Sequence, residues 1–198
     1  MPSPGQLIVL EGPDGVGKSS LASALAAELR SRGRDCVPMS FPGRSDGSLG
    51  KLVYDLHHQS EDFGVASIDP TSLQVLHVAA HIDALNRTLL PALAVGQTVI
   101  LDRYWWSTLV YGMVNDVSDQ ALGLMVELES VAWRGKTPDV LFLVHREVVG
   151  APSNPSHSVL SDRYADLARK EGSRYRVVNL DNNGSFAACL RDALAALE

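Results

Sequence analysis

The feature that most constrains this chain is a glycine-rich octet set between a short apolar run and an amphipathic stretch. Residues 12–19 read Gly-Pro-Asp-Gly-Val-Gly-Lys-Ser and satisfy the pattern G-x-x-x-x-G-K-[ST]. Ahead of it, Gln6-Leu-Ile-Val-Leu10 stops at a Gly/Pro/Asp cluster and reads as a buried strand. Behind it, Leu21, Ala24, Leu25 and Leu29 recur at helical spacing, and Gly33 supplies a stop. Such a loop wraps backbone N–H groups around phosphate oxygens, and the following helix aims its positive end at the same anion. Lys18 is then placed for the β/γ-phosphates and Ser19 for Mg²⁺. The competing reading is an ordinary turn carrying a surface lysine. Strand and helix, both in register with the loop, speak against it.

The rest of the chain alternates in the same way. Further strands are predicted over 35–40, 98–101, 140–144 and 176–178, with helices over 49–58, 70–94, much of 104–134, 158–171 and 185–197. Pro91 falls inside the 70–94 segment and predicts a bend or break there. Alternating strands and helices imply an α/β fold, a parallel β-sheet of about five strands flanked by helices on both faces. With the phosphate loop, this is the P-loop NTPase fold. At 198 residues, one domain over 1–198 is expected.

Composition narrows the partners. Lys and Arg total 17 against 23 Asp and Glu, a formal charge of −6, which speaks against a non-specific nucleic-acid or anionic-membrane binder. Cys36 and Cys189 are too few for a disulfide framework and read as inert thiols. No apolar run approaches bilayer-spanning length and the first one lacks the flanks of a signal peptide, so a cytoplasmic protein is expected. Three signatures are absent: Asn-Lys-x-Asp for guanine, an Asp-x-x-Gly switch after residue 101, and Leu-Ser-Gly-Gly of transporters. A GTPase switch and a transporter ATPase are therefore disfavoured, but the loop alone names no reaction.

Four segments carry a resemblance. They are Glu11-Gly-Pro-Asp-Gly-Val-Gly-Lys-Ser19, Phe41-Pro-Gly-Arg44 with Gly50-Lys51-Leu52, Pro91-Ala-Leu93 leading to Asp102-Arg-Tyr104, and Pro138-Asp-Val-Leu-Phe-Leu143. In this order they resemble the thymidylate kinases among the P-loop nucleoside monophosphate kinases, from about residue 6 to 145. The resemblance implies transfer of the ATP γ-phosphoryl group to a nucleoside monophosphate, dTMP first, with Mg²⁺, in a homodimer. The ATP-binding set it implies is Gly12, Asp14, Gly15, Val16, Gly17, Lys18, Ser19 and Ser20, with Ser19 and Asp102 organising the metal. The implied acceptor set is Asp14, Phe41, Arg44, His77, His81, Arg103, Ser107 and Tyr111. Physical chemistry agrees on two of these residues. A carboxylate at a strand end beside the loop suits Mg²⁺ through water, and the adjacent guanidinium is a planar fork for phosphate. A structural Asp102–Arg103 ion pair, a solvated Arg44, a turn-forming Asp14 and a core Tyr111 stay open as alternatives. Trp105 and Trp106 read as packing residues, His57 and His58 as exposed.

Two departures from the family pattern stand out. The family places a base-reading arginine and a base-stacking phenylalanine where this chain has His81 and His77, one turn apart. The pair is open to three readings: a pocket for a different base or a looser one for thymine, two polar helix residues without a ligand, or a metal pair. The family also takes a catalytic arginine from its loop or from a basic lid. Here the loop offers Pro13, Gly15 and Val16, and the lid over about 146–157 holds one arginine. Arg146 is the expected catalytic substitute beside Lys18, Asp102 and Arg103, and Arg163 is the second choice. A same-fold kinase for another acceptor, and a nucleotide-binding module without turnover, are the rival functions.

Overall fold

Strands read as runs of consecutive apolar residues are stable only when both faces are covered. In the computed structural model, which describes residues 5–147 and 157–198, they are. The elements are β1 (Leu7–Glu11), α1 (Lys18–Ser31), β2 (Cys36–Ser40), α2 (Leu49–His58), α3 (Pro70–Ala84), α4 (Leu90–Ala94), β3 (Thr98–Asp102), α5 (Trp105–Val114), α6 (Asp119–Trp133), β4 (Val140–His145), α7 (His157–Glu171), β5 (Val177–Asp181) and α8 (Phe186–Ala195). The five strands form one sheet in the order β2-β3-β1-β4-β5, and every pairing is parallel.

Alternation along each strand divides the core into two layers. Ile8, Leu10, Ile100, Phe142 and Val144 point to the face covered by α1 and α8, against Leu21, Leu25, Leu29, Cys189 and Ala193. Leu7, Val9, Val99, Leu101, Leu141 and Leu143 point to the other face, against Leu89, Leu93, Trp106, Val110 and Tyr164. The chain steps from β1 out to β2, returns through β3, and passes to β4 on the far side of β1. The loops after β1 and β3 therefore leave from adjacent carboxyl ends, where ligands bind in open α/β sheets.

Two local features refine the sequence prediction. The 70–94 helix runs through Pro91 by widening into a π-turn over Leu85–Leu89, where the Leu90 N–H bonds the Leu85 carbonyl. This rearranges the ladder ahead of a residue that has no N–H to give it. The 104–134 stretch is two helices, because Asp116 takes a positive φ of 57° and Ser118 caps the second by accepting from the Ala121 N–H.

Candidate active site

The phosphate loop joins β1 to α1. Gly12 has φ 136°, and a Cβ there would lie 2.5 Å from the Val144 carbonyl oxygen, so only glycine fits. Side chains of Ser48, Asp69, Ser118 and Ser185 cap α2, α3, α6 and α8, whereas the first turn of α1 starts at Gly17 with no side-chain cap. Its N–H groups are left for an anion. Lys18 is buried and donates to the carbonyls of Gly12 at 2.8 Å and Pro13 at 2.6 Å. Burial first, then the Arg103 cation, lowers its pKa to about 8 against the pull of Asp102, Asp14 and Glu11. Gly15, Val16 and Ser20 flank this cradle, with Val16 buried and Ser20 at the exposed start of α1.

The end of β3 meets the start of α1. Ser19 Oγ donates to Asp102 Oδ2 at 2.5 Å, while Asp102 Oδ1 is buried with no hydrogen-bond partner. A hydroxyl and a carboxylate with a spare oxygen are hard ligands that fit Mg²⁺, which takes its remaining positions from waters and phosphates. Among the described residues no cluster of three His, Cys, Asp or Glu forms a metal cage.

Arg103 follows directly, with a positive φ of 77°, a sparsely populated state for a non-glycine residue. Its own N–H bonds the Leu10 carbonyl at 2.9 Å. Its guanidinium donates to Ser107 Oγ at 3.0 Å and to Asp14 Oδ1, and lies over the Tyr111 ring. Tyr111 OH donates to Asp14 Oδ2 at 2.7 Å. Burial works to raise the Asp14 pKa, but Arg103, the Tyr111 hydroxyl and Lys18 outweigh it and leave it below its ordinary value. Three predicted residues, Asp14, Ser107 and Tyr111, thus converge on the guanidinium of a fourth, Arg103.

The other predicted residues are more dispersed. Phe41 is buried, and its N–H reaches the Asp102 carbonyl at 3.0 Å. His81 is 5% exposed, stacked on Phe41 with ring centroids 4.4 Å apart, and its Nδ1 lies 3.2 Å from Glu129 Oε1. An imidazole, shorter than arginine, is held here between Phe41 and Glu129. His77 contacts His57 instead, Nε2 to Nδ1 at 3.1 Å, so His57 is exposed yet partnered. Arg44 is exposed with its guanidinium over the Tyr54 ring and, among the described residues, is not bonded to the Arg103 cluster. Arg146 is exposed just past β4 and Arg163 is exposed on α7; residues 148–156 of the predicted lid lie outside the described residues.

Sequence reasoning missed three buried partners. Glu11, fully buried, accepts from the N–H groups of Tyr104 at 2.7 Å and Ser107 at 3.0 Å, and so caps α5 from another strand. Burial pushes its carboxyl up, and Arg103, the Ser107 hydroxyl and the Tyr104 amide pull it back only in part. Asn182, after β5, donates to the Val16 carbonyl at 2.8 Å and braces the loop. Glu129 accepts from Thr108 Oγ1 at 2.6 Å as well as facing His81. Glu11 stood within the recognised motif, and an acid ending an all-apolar strand was the one available signal.

A family model described as thymidylate kinase matches residues 10–151. The chain belongs to the thymidylate kinase family. It is 30% identical over 98% of its length to a thymidylate kinase of Rhizorhabdus wittichii, covering 99% of that protein. It is 32% identical to one of Dinoroseobacter shibae, over 100% of this chain and 98% of that one. A crystal structure of the Ehrlichia chaffeensis thymidylate kinase superposes with a TM-score of 0.79 over 98% of this chain and 100% of that one, at 20% identity, which shows the shared fold. Thymidylate kinase family membership confirms the resemblance read from the four sequence segments. No helix among the described residues is long and apolar enough to cross a membrane.

Proposed function

We propose that the chain, acting as one kinase domain, transfers the γ-phosphoryl group of ATP to the phosphate of a nucleoside monophosphate, with dTMP the leading acceptor. The observation that carries this reading is the convergence of Lys18, the Ser19–Asp102 pair and Arg103 at the adjacent carboxyl ends of β1 and β3. Lys18 and the uncapped amides of α1 hold the donor phosphates. Ser19 and Asp102 hold Mg²⁺, which supplies charge neutralisation on the β/γ oxygens. Arg103 grips the acceptor phosphate, displacing the Asp14 carboxylate that occupies it. An acceptor phosphate oxygen then bonds the γ-phosphorus as its bond to the β–γ bridging oxygen breaks, giving ADP and a nucleoside diphosphate. No strong base is needed, because alignment and charge carry this chemistry.

The test is ADP release with each nucleoside monophosphate in turn. Release with dTMP, lost in Lys18→Ala, supports the reading. In Arg103→Ala the acceptor KM rises while ATP affinity holds, with a loss of roughly 2–5 kcal/mol for a buried charged contact. ATP binding without release on any acceptor overturns the kinase and favours a binding module. The His81–Glu129 contact favours a second reading, a looser base pocket, in which other bases compete more evenly than the family pattern implies.

The same reading takes the working unit as a homodimer in the cytoplasm. Leu124, Leu128 and Val131, four and three residues apart, are 62%, 53% and 70% exposed along one face of α6 and give an apolar stripe for a second copy. Light scattering of Leu128→Glu tests it: a dimer in the parent and a monomer in the variant is the expected result.

A further inference from the structure

We propose that Tyr164 of α7 is a positioning residue for the acceptor phosphate, acting through the Ser107 hydroxyl on Arg103. This rests on the reading of Arg103 as the group that grips that phosphate. Ser107 Oγ has three partners: Glu11 Oε2 at 2.8 Å, Arg103 Nη1 at 3.0 Å and Tyr164 OH at 2.9 Å. A hydroxyl offers one proton and two lone pairs. Arginine only donates, so one lone pair of Ser107 goes to Arg103.

Glu11 Oε1 already accepts two backbone N–H groups, and Oε2 has the Ser107 hydroxyl as its partner. With the carboxylate accepting at both oxygens, the single Ser107 proton points to Oε2. The remaining lone pair can be filled only by a donor, which assigns Tyr164 O–H as the third arm. Every valence of Ser107 is then used, and its orientation is fixed.

That orientation matters because Arg103 needs outside support. Its backbone sits at φ 77°, and such a conformation persists only where its surroundings hold it. Among the described residues Ser107 Oγ is the neutral oxygen that accepts from its guanidinium, whose face lies over the Tyr111 ring. The other acceptor, Asp14, is an exposed carboxylate that an arriving phosphate replaces. Tyr164 is fully buried and Ser107 is 7% exposed, so water does not readily stand in for a lost partner. Without the Tyr164 proton the Ser107 hydroxyl keeps its bonds to Glu11 and Arg103 but loses the third that completes its orientation, and Arg103 is held less firmly in its approach to the acceptor. The helix that follows the lid segment is thereby joined to the acceptor site by one hydroxyl.

The experiment is a double-mutant cycle read by calorimetric titration of dTMP and, separately, of ATP. Tyr164→Phe keeps the ring and deletes the proton. It is expected to weaken dTMP about three- to tenfold, the range of one net hydrogen bond, and to leave ATP within about twofold. In the Ser107→Ala and Arg103→Ala backgrounds the same change should add nothing. Equal weakening of dTMP and ATP makes the role merely structural and overturns the proposal, as does full additivity with Ser107→Ala or an unchanged dTMP affinity in Tyr164→Phe. If Arg103→Ala itself leaves dTMP binding intact, the phosphate-grip reading falls, and this inference falls with it. If Arg103→Ala weakens dTMP while Tyr164→Phe does not, only the inference falls.

Discussion

Ser19 donates its hydroxyl to Oδ2 of Asp102 across 83 residues of sequence, and the other oxygen of the same carboxylate is buried without a partner. A buried acceptor left unpaired is costly unless something fills it, and Mg²⁺ held by this pair would do so. Asp102→Asn is expected to weaken ATP binding in the presence of MgCl₂ by about 10- to 100-fold, the usual effect of losing a group that holds a metal's shell. Without magnesium the two proteins should bind ATP alike. Calorimetry in both buffers decides it, and an equal loss in each removes Asp102 from the metal site.

Gly50, in the first turn of α2, offers a test of how the acceptor loop is held. A Cβ at this position would lie 1.8 Å from the Pro42 carbonyl oxygen and 2.9 Å from Gly43 Cα, both backbone atoms that have nowhere to go. Gly50→Ala therefore pushes α2 off the turn that carries Phe41 and Arg44. The expected cost is about 1–3 kcal/mol of stability, as for other forced overpacking, with a raised acceptor KM. Thermal unfolding and acceptor titration measure the two effects. A melting temperature equal to the parent's would show that α2 packs against that turn more loosely than these distances say.

What could be read beforehand follows the range over which each constraint acts. Strand cores and the 49–58 helix were legible because a run such as Val140–Val144 states its own burial. The phosphate loop was legible because its parts are contiguous. That Asp102 and Arg103 stand next to the loop was inferable from two strand ends. Glu11, Asn182, Glu129 and Tyr164 were not, since each acts on a residue brought close only by the folded sheet: Asn182 and Val16 are 166 positions apart. Pro91 announced an irregularity in its helix, but its form as a π-turn, and the break at 115–118, were hidden for another reason. A helical period survives both, and only the cap at Ser118 marks the second.

Glu129 and His81 show how such a hidden partner changes an expectation. Glu129 is 1% exposed, its Oε1 is shared by Thr108 and His81, and its Oε2 has no partner. His81→Leu strips this carboxylate further, and the expected loss is roughly 1–3 kcal/mol, the penalty of a buried acceptor left unpaired. Adding Glu129→Leu should recover part of that loss, because the desolvated charge goes with it. Urea unfolding of the two single variants and the double variant gives the coupling. Strict additivity would mean that the two side chains do not depend on each other.

His77 makes the chain sensitive to acid. Burial first, then the neighbouring His81, His57, Arg103 and His58, lowers its pKa from 6.5 to about 3. His57 is shifted the same way, by burial and then by His58, with Asp14 opposing. In the unfolded chain His77 takes its proton near pH 6.5, whereas the folded protein refuses it until far lower. Between those values the unfolded state binds more protons, so stability rises with pH across the window and falls as acid is added. At neutral pH the ring is uncharged. His77→Phe keeps a ring without a titrating group. Its stability should fall less steeply than the parent's between about pH 6.5 and 4.5, with His57 retaining part of the slope. Chemical denaturation at a series of pH values measures both curves. Parallel curves would mean that His77 takes up its proton as readily folded as unfolded, and that its ring stands in water.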